Sequence, residues 1–223
     1  MDFSVRPVQS NVTAGWLKHK HYAKRIPPIS HSYGLYDSEL ILQGVCTYGP
    51  PCRMLNKGYG IFGGEFEVDT LELNRLVVND NLPKNTLSFF VSQTFKLLPA
   101  PICLVSYADS NAGHHGYIYQ ATNWIYTGIT GIEATYFDKR QNIILHPRTV
   151  VGMFGSRSAE TLPDYIVVNK ESGGKFRYIK FLGSKKDIKS MNGFLKYQVS
   201  EYPKGDNKRY DSSHKPSVQR VLF

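Results

Sequence analysis

The fold is decided by residues 71–109, which read LELNRLVVNDNLPKNTLSFFVSQTFKLLPAPICLVSYAD. The apolar run at 71–78 is typical of a β-strand, and the loop NDNLPKN after it places Pro83 close to a helix start. Apolar residues at 87, 90, 91, 95 and 98 then follow a helical spacing that ends before Pro99. A second apolar run at 102–109 predicts a buried strand, so the stretch indicates a strand–loop–helix–strand unit.

The flanking sequence predicts further strands and two short helices around this unit. Residues 35–49 predict one strand, and residues 115–126 predict a short helix with Ile118, Tyr119 and Trp124 on its buried side. Residues 164–170 and 175–183 predict a hairpin joined by ESGG, 185–195 a basic helix, and 197–205 a strand with a turn. The expected fold class is α/β (α+β): one domain over residues 1–223 with a mixed, partly parallel sheet flanked by helices.

The composition is that of a folded protein from a reducing compartment. Hydrophobic residues make up 41% of the 223 positions and aromatic residues 13%, which excludes a chain that is disordered throughout. No apolar run approaches the roughly 20 residues of a membrane span, so no membrane partner is expected. The three cysteines, Cys46, Cys52 and Cys103, are too few for a disulfide framework or a cysteine-rich zinc site, which favours a cytoplasmic protein.

The net charge of +9 is concentrated near the C-terminus. Residues 1–169 hold 14 basic and 13 acidic side chains, whereas residues 170–223 hold 13 basic and 5 acidic ones. A solvated tail would explain this excess. Tyrosine and phenylalanine interleave with the charge, however, so we expect the segment to be mostly folded and to bind a polyanion.

Two candidate sites follow from the strand–helix unit. The loop before the predicted helix offers backbone N–H groups to a phosphate, with Arg75, Lys84, Asn85 and Ser88 as further donors; a plain strand–helix connection is the alternative. Asp109 ends a buried strand, where α/β sheets place ligands, and is either a proton acceptor or the cap of the next turn. The adjacent His114 and His115 could bind a metal, but neighbouring side chains diverge on a helix, so a histidine that contacts substrate or phosphate is the expectation.

A third candidate is the basic and aromatic stretch at residues 18–36, which includes His21, Arg25 and Tyr36. Such a mixture suits contact with a nucleic-acid backbone and stacking on bases. Solvated surface charge is the alternative interpretation.

An ordered series of motifs resembles the Mom family of phage DNA-modification proteins. It runs over about residues 16–205 and includes KHKHYAKRIP, LYDSELILQGVCTYGPP, the strand–helix unit above, VSYADSNAGHHGYIYQATNWIYTG and FRYIKFLG. The resemblance implies a fold like that of the GCN5-related N-acyltransferases, with splayed central strands and the acyl carrier bound at residues 71–98. The loop NDNLPKN lacks the glycines of the usual pyrophosphate loop, which speaks against ordinary acetyl-coenzyme A binding.

The resemblance also implies the chemistry. The family product is N6-(carbamoylmethyl)adenine in double-stranded DNA, which shields phage DNA from restriction and requires the adenine to leave the duplex. The added group has the atoms of glycine, so glycyl-tRNA is favoured over acetyl-coenzyme A as the donor, and tRNA becomes a second partner. A metal site is not expected, although the resemblance leaves iron open, and a homodimer is left open as well.

Family roles transfer to particular residues by position. Asp109, Tyr119 and His21 are the expected catalytic residues, and the donor is expected at Arg75, Lys84, Asn85 and Ser88. The expected DNA contacts are Tyr107, His114, Asn123, Trp124, Tyr36, Tyr48 and Arg25, with aromatic rings stacking on the adenine and amides reading its edge. Two other functions compete: a coenzyme A-dependent acyltransferase acting on a small-molecule or protein amine, and a nucleic-acid-binding module without activity.

Overall fold

The computed structural model describes residues 2–21, 23–110, 113–131, 134–145, 147–169 and 174–205. The strands, in chain order, are β1 Ser4–Pro7, β2 His31–Tyr36, β3 Leu42–Gly49, β4 Thr70–Val78, β5 Ile102–Asp109, β6 Ile125–Ile129, β7 Thr135–Asp138, β8 Ile143–Leu145, β9 Ile166–Asn169 and β10 Lys175–Leu182. The helices are α1 Ser10–His19, α2 Thr86–Phe95, α3 Tyr117–Ala121, α4 Pro147–Phe154 and α5 Lys185–Phe194. Two 3₁₀ segments, Arg53–Gly58 and Ala159–Thr161, complete the set.

Seven strands form the main sheet, in the order β1-β2-β3-β4-β5-β10-β6. All neighbours are antiparallel except β4 and β5, which are parallel because α2 connects them as a crossover. The predicted strand–loop–helix–strand unit is therefore confirmed, as is the mixed sheet flanked by helices.

The two parallel strands separate along their length. Their pairing covers only Thr70–Glu72 against Cys103–Val105, although β4 continues to Val78 and β5 to Asp109. The carboxyl halves of β4 and β5 therefore diverge, and this gap is the splay expected for the central strands.

Alternation along β5 divides the core between the two faces of the sheet. Ile102, Leu104 and Ala108 belong to the cluster beneath α2 and α3. Cys103 and Val105 face the other way, towards a cluster that includes residues from the Arg53–Gly58 segment and α5. The two faces therefore have different coverings, and the second face contains the charged residues described below.

The prediction of one strand at 35–49 was wrong, because a tight turn divides it into β2 and β3. The Asp37 carboxylate accepts hydrogen bonds from the backbone N–H groups of Glu39 and Ile41, at 3.0 and 2.9 Å. Leu40 adopts a φ of 61°. An aspartate that bonds to the backbone two residues ahead is a turn signal, and here it overrides the strand propensity of the apolar residues around it.

The predicted helix at 115–126 is shorter than expected. It covers only α3 and ends where Asn123 takes a φ of 56°. Ile125 begins β6, which pairs with β10. The pairing available at the edge of the main sheet outweighs helix propensity in this stretch.

The predicted hairpin of 164–170 with 175–183 was also wrong. β9 pairs with β7 in a separate sheet of order β8-β7-β9, whereas β10 lies between β5 and β6. The three short strands and α4 enclose their own small core of Tyr136, Leu145, Val150, Leu162 and Ile166. We call residues 134–169 the insertion module.

The C-terminal part of the described chain crosses the sheet without forming the predicted strand at 197–205. We call residues 195–205 the strap. Its Ser200 N–H donates to the Tyr126 carbonyl at 3.0 Å, and its Tyr202 hydroxyl donates to the Trp124 carbonyl at 2.7 Å. The strap therefore covers the outer edge of β6. Residues 206–223 of the predicted basic segment lie outside the described residues.

Candidate functional site

Charged and phenolic side chains gather on one face where β4 and β5 separate. Glu72 is paired in register with Val105, so its side chain shares a face with Val105 and Tyr107. Across the next ladder, Tyr107 lies opposite Arg177 and Asp109 lies opposite Lys175. We call these residues of β4, β5 and β10 the site face.

Glu72 is a half-buried carboxylate that the sequence reasoning missed. Burial raises its pKa, and the nearby cations Arg75, Arg148 and Lys175 oppose that rise. Glu72 could have been found from the sequence because, like Arg75, it is a charged residue within an apolar strand. A partly desolvated carboxylate among cations is suited to taking up and returning a proton.

Tyr107 lies between this carboxylate and a fixed arginine. Burial raises the pKa of the Tyr107 phenol, and Glu72 adds to the effect, so the phenol stays protonated at neutral pH. The Arg177 guanidinium donates to the Thr127 hydroxyl at 2.9 Å and to its carbonyl at 2.8 Å, and it stacks 3.4 Å from the Tyr197 ring centroid. These contacts hold the arginine in one orientation.

Asp109 and His114 meet at the end of β5. The backbone N–H of His114 donates to the Asp109 carbonyl at 3.1 Å. Burial lowers the pKa of the His114 imidazole, and the negative charge of Asp109 partly offsets this. The structure therefore brings these two predicted site residues together.

A β-bulge in β4 accounts for the position of Arg75. Thr47 pairs with Arg75 and Tyr48 with Leu73, so Asn74 is an extra residue. The Asn74 amide donates to the Pro28 carbonyl at 3.0 Å, and the Arg75 guanidinium lies 3.4 Å from the carbonyl of Arg25. The bulge therefore ties residues 25–28 to β4. In this way it brings the predicted Arg25 beside Arg75.

His21 is buried beside this bulge. Burial, followed by the charges of Arg75 and His114, lowers its pKa to about 3, so the imidazole is neutral at neutral pH. Its Nδ1 accepts the Ala23 N–H at 3.1 Å, which assigns the ring proton to Nε2. His21 is therefore a hydrogen-bond donor through Nε2 rather than a proton acceptor.

Tyr119 lies on the opposite face, beneath the splay. The Ser106 hydroxyl is 2.7 Å from both the Leu73 carbonyl and the Tyr119 hydroxyl. Ser106 is the donor towards both oxygens, and its single proton is shared between the two acceptors. Ser106 thus links the diverging strands to α3.

The predicted donor residues surround the start of α2. Lys84 and Asn85 are exposed, and Asn85 has a φ of 69° as the residue before the helix. Neither a side-chain cap nor an acidic residue occupies the first turn of α2. By contrast, α5 is closed by a capping box between Ser184 and Asp187. The Thr86 N–H bonds to the Pro83 carbonyl at 3.2 Å, so within the described part of the chain the N–H groups of Leu87 and Ser88 are the ones open to an anion.

Several predicted base contacts lie in the core instead. Trp124 and Tyr48 have 0% exposure, and Tyr36 is also buried. Trp124 packs against Tyr119 and Phe95, while the Tyr48 hydroxyl bonds to Thr94 at 2.6 Å. A ring without an exposed face cannot stack on a base in this conformation. Their sequence signal, an aromatic ring with a polar tip, does not distinguish a core position from a binding position.

Asn123 is exposed at the far end of α3. Its carbonyl accepts a hydrogen bond from the Lys180 ammonium at 3.1 Å. A cavity of about 450 Å³ opens nearby, lined by residues of α2, β10 and α5 that include Lys96 and Lys180. Lys180 pairs with Leu104 and lies five residues along β10 from Lys175, so this cavity is at the opposite end of the sheet from Asp109.

In the part of the chain that the structure describes, no three His, Cys, Asp or Glu side chains come together in a way that could hold a metal ion. None of the helices in the described part of the chain has the length and apolar character that a membrane span requires.

A family model and a curated relative both point to the Mom protein family. The model of the Mom protein family matches residues 2–204. Methylcarbamoylase mom of Escherichia phage Mu is 28% identical over 202 residues, which cover 84% of this chain and 78% of that protein.

Among solved structures, an acetyltransferase of Corynebacterium glutamicum described as histone acetyltransferase HPA2 and related acetyltransferase matches with a TM-score of 0.45 and 11% identity. The match covers 82% of this chain and 98% of that one. Spermidine N-acetyltransferase of Vibrio cholerae matches with a TM-score of 0.43 and 8% identity, over 81% of this chain and 94% of that one. The family match spans nearly the whole described chain, and on that ground this chain belongs to the Mom protein family.

Proposed function

We propose that this chain is an enzyme that converts adenine in phage DNA to N6-(carbamoylmethyl)adenine and so protects the DNA from host restriction. Family membership over residues 2–204 supports the reaction, and the phage Mu relative is named a methylcarbamoylase. The observation that carries the proposal is the gathering of Glu72, Tyr107 and Asp109 on one face where β4 and β5 diverge. Two carboxylates and a phenol at one opening suit a reaction with two proton transfers.

The donor in this proposal is glycyl-tRNA, and the reaction has two steps. First, the N6 amine of an extruded adenine attacks the glycyl ester carbonyl; an N–C bond forms, and the tRNA hydroxyl leaves with a proton. Second, the glycyl amine attacks C6 of the ring, and the C6–N6 bond breaks. The old N6 becomes the terminal carboxamide nitrogen, so atoms balance without another reactant. An acetyl group cannot supply that second nitrogen.

The carboxylates divide the proton transfers between them. Asp109 accepts the proton that the adenine amine loses in the first step, with His114 beside it. Glu72, whose pKa is raised by burial, takes the proton from the attacking glycyl amine and returns it to the departing nitrogen. His21 donates through Nε2 and does not act as a base.

The donor polyanion belongs on the other side of the splay, at the start of α2. Lys84, Asn85 and Ser88 and the open first turn of that helix supply its phosphate contacts. Donor and DNA then reach the gap between β4 and β5 from opposite faces of the sheet.

Nucleoside mass spectrometry of host DNA tests the function. Cells expressing the chain are expected to contain deoxyadenosine with an added C₂H₃NO, and both Asp109→Asn and Glu72→Gln are expected to abolish it. Glu39→Gln is the matched control, since Glu39 is exposed at the β2–β3 turn. Absence of the product with folded wild-type protein would favour a coenzyme A-dependent acyltransferase acting on another amine.

A reconstitution with purified protein and duplex DNA tests the donor separately. Glycyl-tRNA is expected to support product formation, and ¹⁵N in its glycine is expected at the amine attached to C6 rather than in the carboxamide. Product from acetyl-coenzyme A alone, or ¹⁵N found in the carboxamide, would refute the two-step route.

A further inference from the structure

Two exposed elements border the site face, and the proposed function uses neither. The first is the Arg53–Gly58 segment. Its Leu55 packs into the core of the site face with Val105, and Tyr107 packs against the same cluster. The next residue outward, Met54, has 80% of its surface exposed, and Arg53 is exposed beside it.

The second element is helix α4 of the insertion module. The module joins the main sheet at the start of β10, where the Thr130 N–H donates to the Lys175 carbonyl at 2.9 Å. Lys175 lies opposite Asp109, so the module projects from the end of the sheet that holds the site. Val150 anchors α4 with 0% exposure, while Val151 is 43% exposed.

Both elements lie close to the pair Glu72 and Tyr107 on the site face. Arg148, at the start of α4, is close enough to influence Glu72 electrostatically, and Cys52, just before Arg53, influences Tyr107. Glu72 and Tyr107 are themselves neighbours. The site carboxylate therefore lies between two rims, each with an exposed arginine and an exposed apolar side chain.

The chemistry of the rims favours a polyanion with a stacked apolar interior. Neither residues 50–64 nor residues 147–154 contain an acidic residue. Arginine beside an exposed apolar side chain is the combination with which proteins hold DNA phosphates and wedge open a base step. A second copy of this chain would bring equally basic rims together.

We propose that the two rims grip duplex DNA on either side of the site: Met54 and Val151 enter the stack beside the extruded adenine, and Arg53 and Arg148 bind the flanking phosphates. This inference rests on the proposed function, because it identifies how DNA is seated for that reaction. It requires the base to leave the duplex at the face that holds Glu72, Tyr107 and Asp109.

Binding of a fluorescein-labelled duplex over a salt series tests the arginines. The Arg53→Gln/Arg148→Gln variant is expected to bind about tenfold more weakly at low salt and to reduce the slope of log K against log salt by about 2, one for each phosphate lost. The matched control is Lys96→Gln, on the far side of the sheet. An unchanged salt slope, or an equal loss of affinity in the Lys96→Gln control, would refute the proposed phosphate contacts of Arg53 and Arg148.

A set of duplexes with 2-aminopurine at successive adenine positions tests the wedge. Wild type is expected to raise the fluorescence at one or more positions, and Met54→Ser/Val151→Ser is expected to remove most of that rise while circular dichroism stays unchanged. Leu97→Ser is the control, since it changes an exposed apolar residue just after α2. A rise that survives the double substitution would refute the wedge.

Three further outcomes decide between this inference, self-association and the proposed function. If the wild type is a dimer and the rim substitutions convert it to a monomer, the rims serve self-association. That result would refute the proposed DNA contacts of the rims. If modified adenine forms in cells while the rim variants bind and unstack DNA normally, the proposed function is supported and the proposed DNA contacts of the rims are refuted. If DNA binding depends on the rims but no modified adenine forms, the DNA contacts of the rims are supported and the proposed function is refuted.

Discussion

At the scale of single residues, the site is organised by burial acting on charge. Glu72 and His21 are both taken partly out of water, which raises the pKa of the carboxyl and lowers that of the imidazole. Each change favours the uncharged form. The neutral His21 can lie beside Arg75 without repulsion, and its Nδ1 is occupied by the Ala23 N–H.

His21 makes stability depend on pH in a defined window. Its pKa is about 3 in the folded state against 6.5 unfolded, so only the unfolded chain takes up the proton between these values. The group's contribution is complete above pH 6.5 and is lost as pH falls towards 3, by about 1.4 kcal/mol per pH unit. We expect His21→Gln to lose less stability than wild type on acidification, as measured by urea unfolding at several pH values. Parallel pH curves would contradict this.

At the scale of elements, packing decides how α3 meets the sheet. Gly116 precedes the helix with a φ of 79°, and a Cβ there would lie 2.4 Å from the Tyr178 ring. The Tyr178 hydroxyl donates to the His115 carbonyl at 2.5 Å. The glycine therefore permits both a left-handed backbone and the close approach of β10 to α3.

A pair of glycine substitutions separates these two effects. Gly128 has a similar φ of 89°, but among the described residues no atom lies within 4 Å of an added Cβ. Gly128→Ala is expected to cost about 1 to 2 kcal/mol from the backbone alone, and Gly116→Ala about 1 to 3 kcal/mol more from overpacking. Urea unfolding measures both. Equal losses would show that Tyr178 moves aside freely.

At the scale of the whole molecule, the strap joins the C-terminal region to α3 and to the β6 edge of the sheet. Tyr202 donates to the Trp124 carbonyl at 2.7 Å, and Gln120 of α3 donates to the Pro203 carbonyl at 3.3 Å. These contacts connect residues about 80 positions apart in the chain. They place part of the basic C-terminal region beside α3, which the net charge alone could not locate.

Removing one strap contact should loosen β6 and α3 together. We expect Tyr202→Ala to lower the free energy of unfolding by about 1 to 3 kcal/mol and to speed amide exchange in these two elements, but not in β1 and β2. Val199→Ala is the matched control, because Val199 is an exposed strap residue, and it should change stability by less than about 0.5 kcal/mol. Equal exchange rates in wild type and Tyr202→Ala would show that the strap does not support this edge.

The sequence by itself determined the elements whose signals are local. β4, β5 and the basic helix after Ser184 were predicted to within one residue, and α2 ends at Phe95, three residues before the predicted end. Hydrophobic periodicity acts within one element, which is why these elements could be predicted. The sequence also named Asp109 and His114 as separate candidates, and the structure shows that the His114 N–H bonds to the Asp109 carbonyl at the end of β5.

Only the tertiary structure decided which side chains share a face and which are enclosed. Glu72 joins Tyr107 and Asp109 through strand pairing. Trp124 and Tyr48 are both enclosed partly by α2, which is distant from them in sequence, through Phe95 and Thr94. β9 pairs with β7 instead of β10 because each strand takes the partner that buries its apolar side chains. Burial and pairing depend on contacts between distant parts of the chain, and those contacts leave no mark in a short stretch of residues.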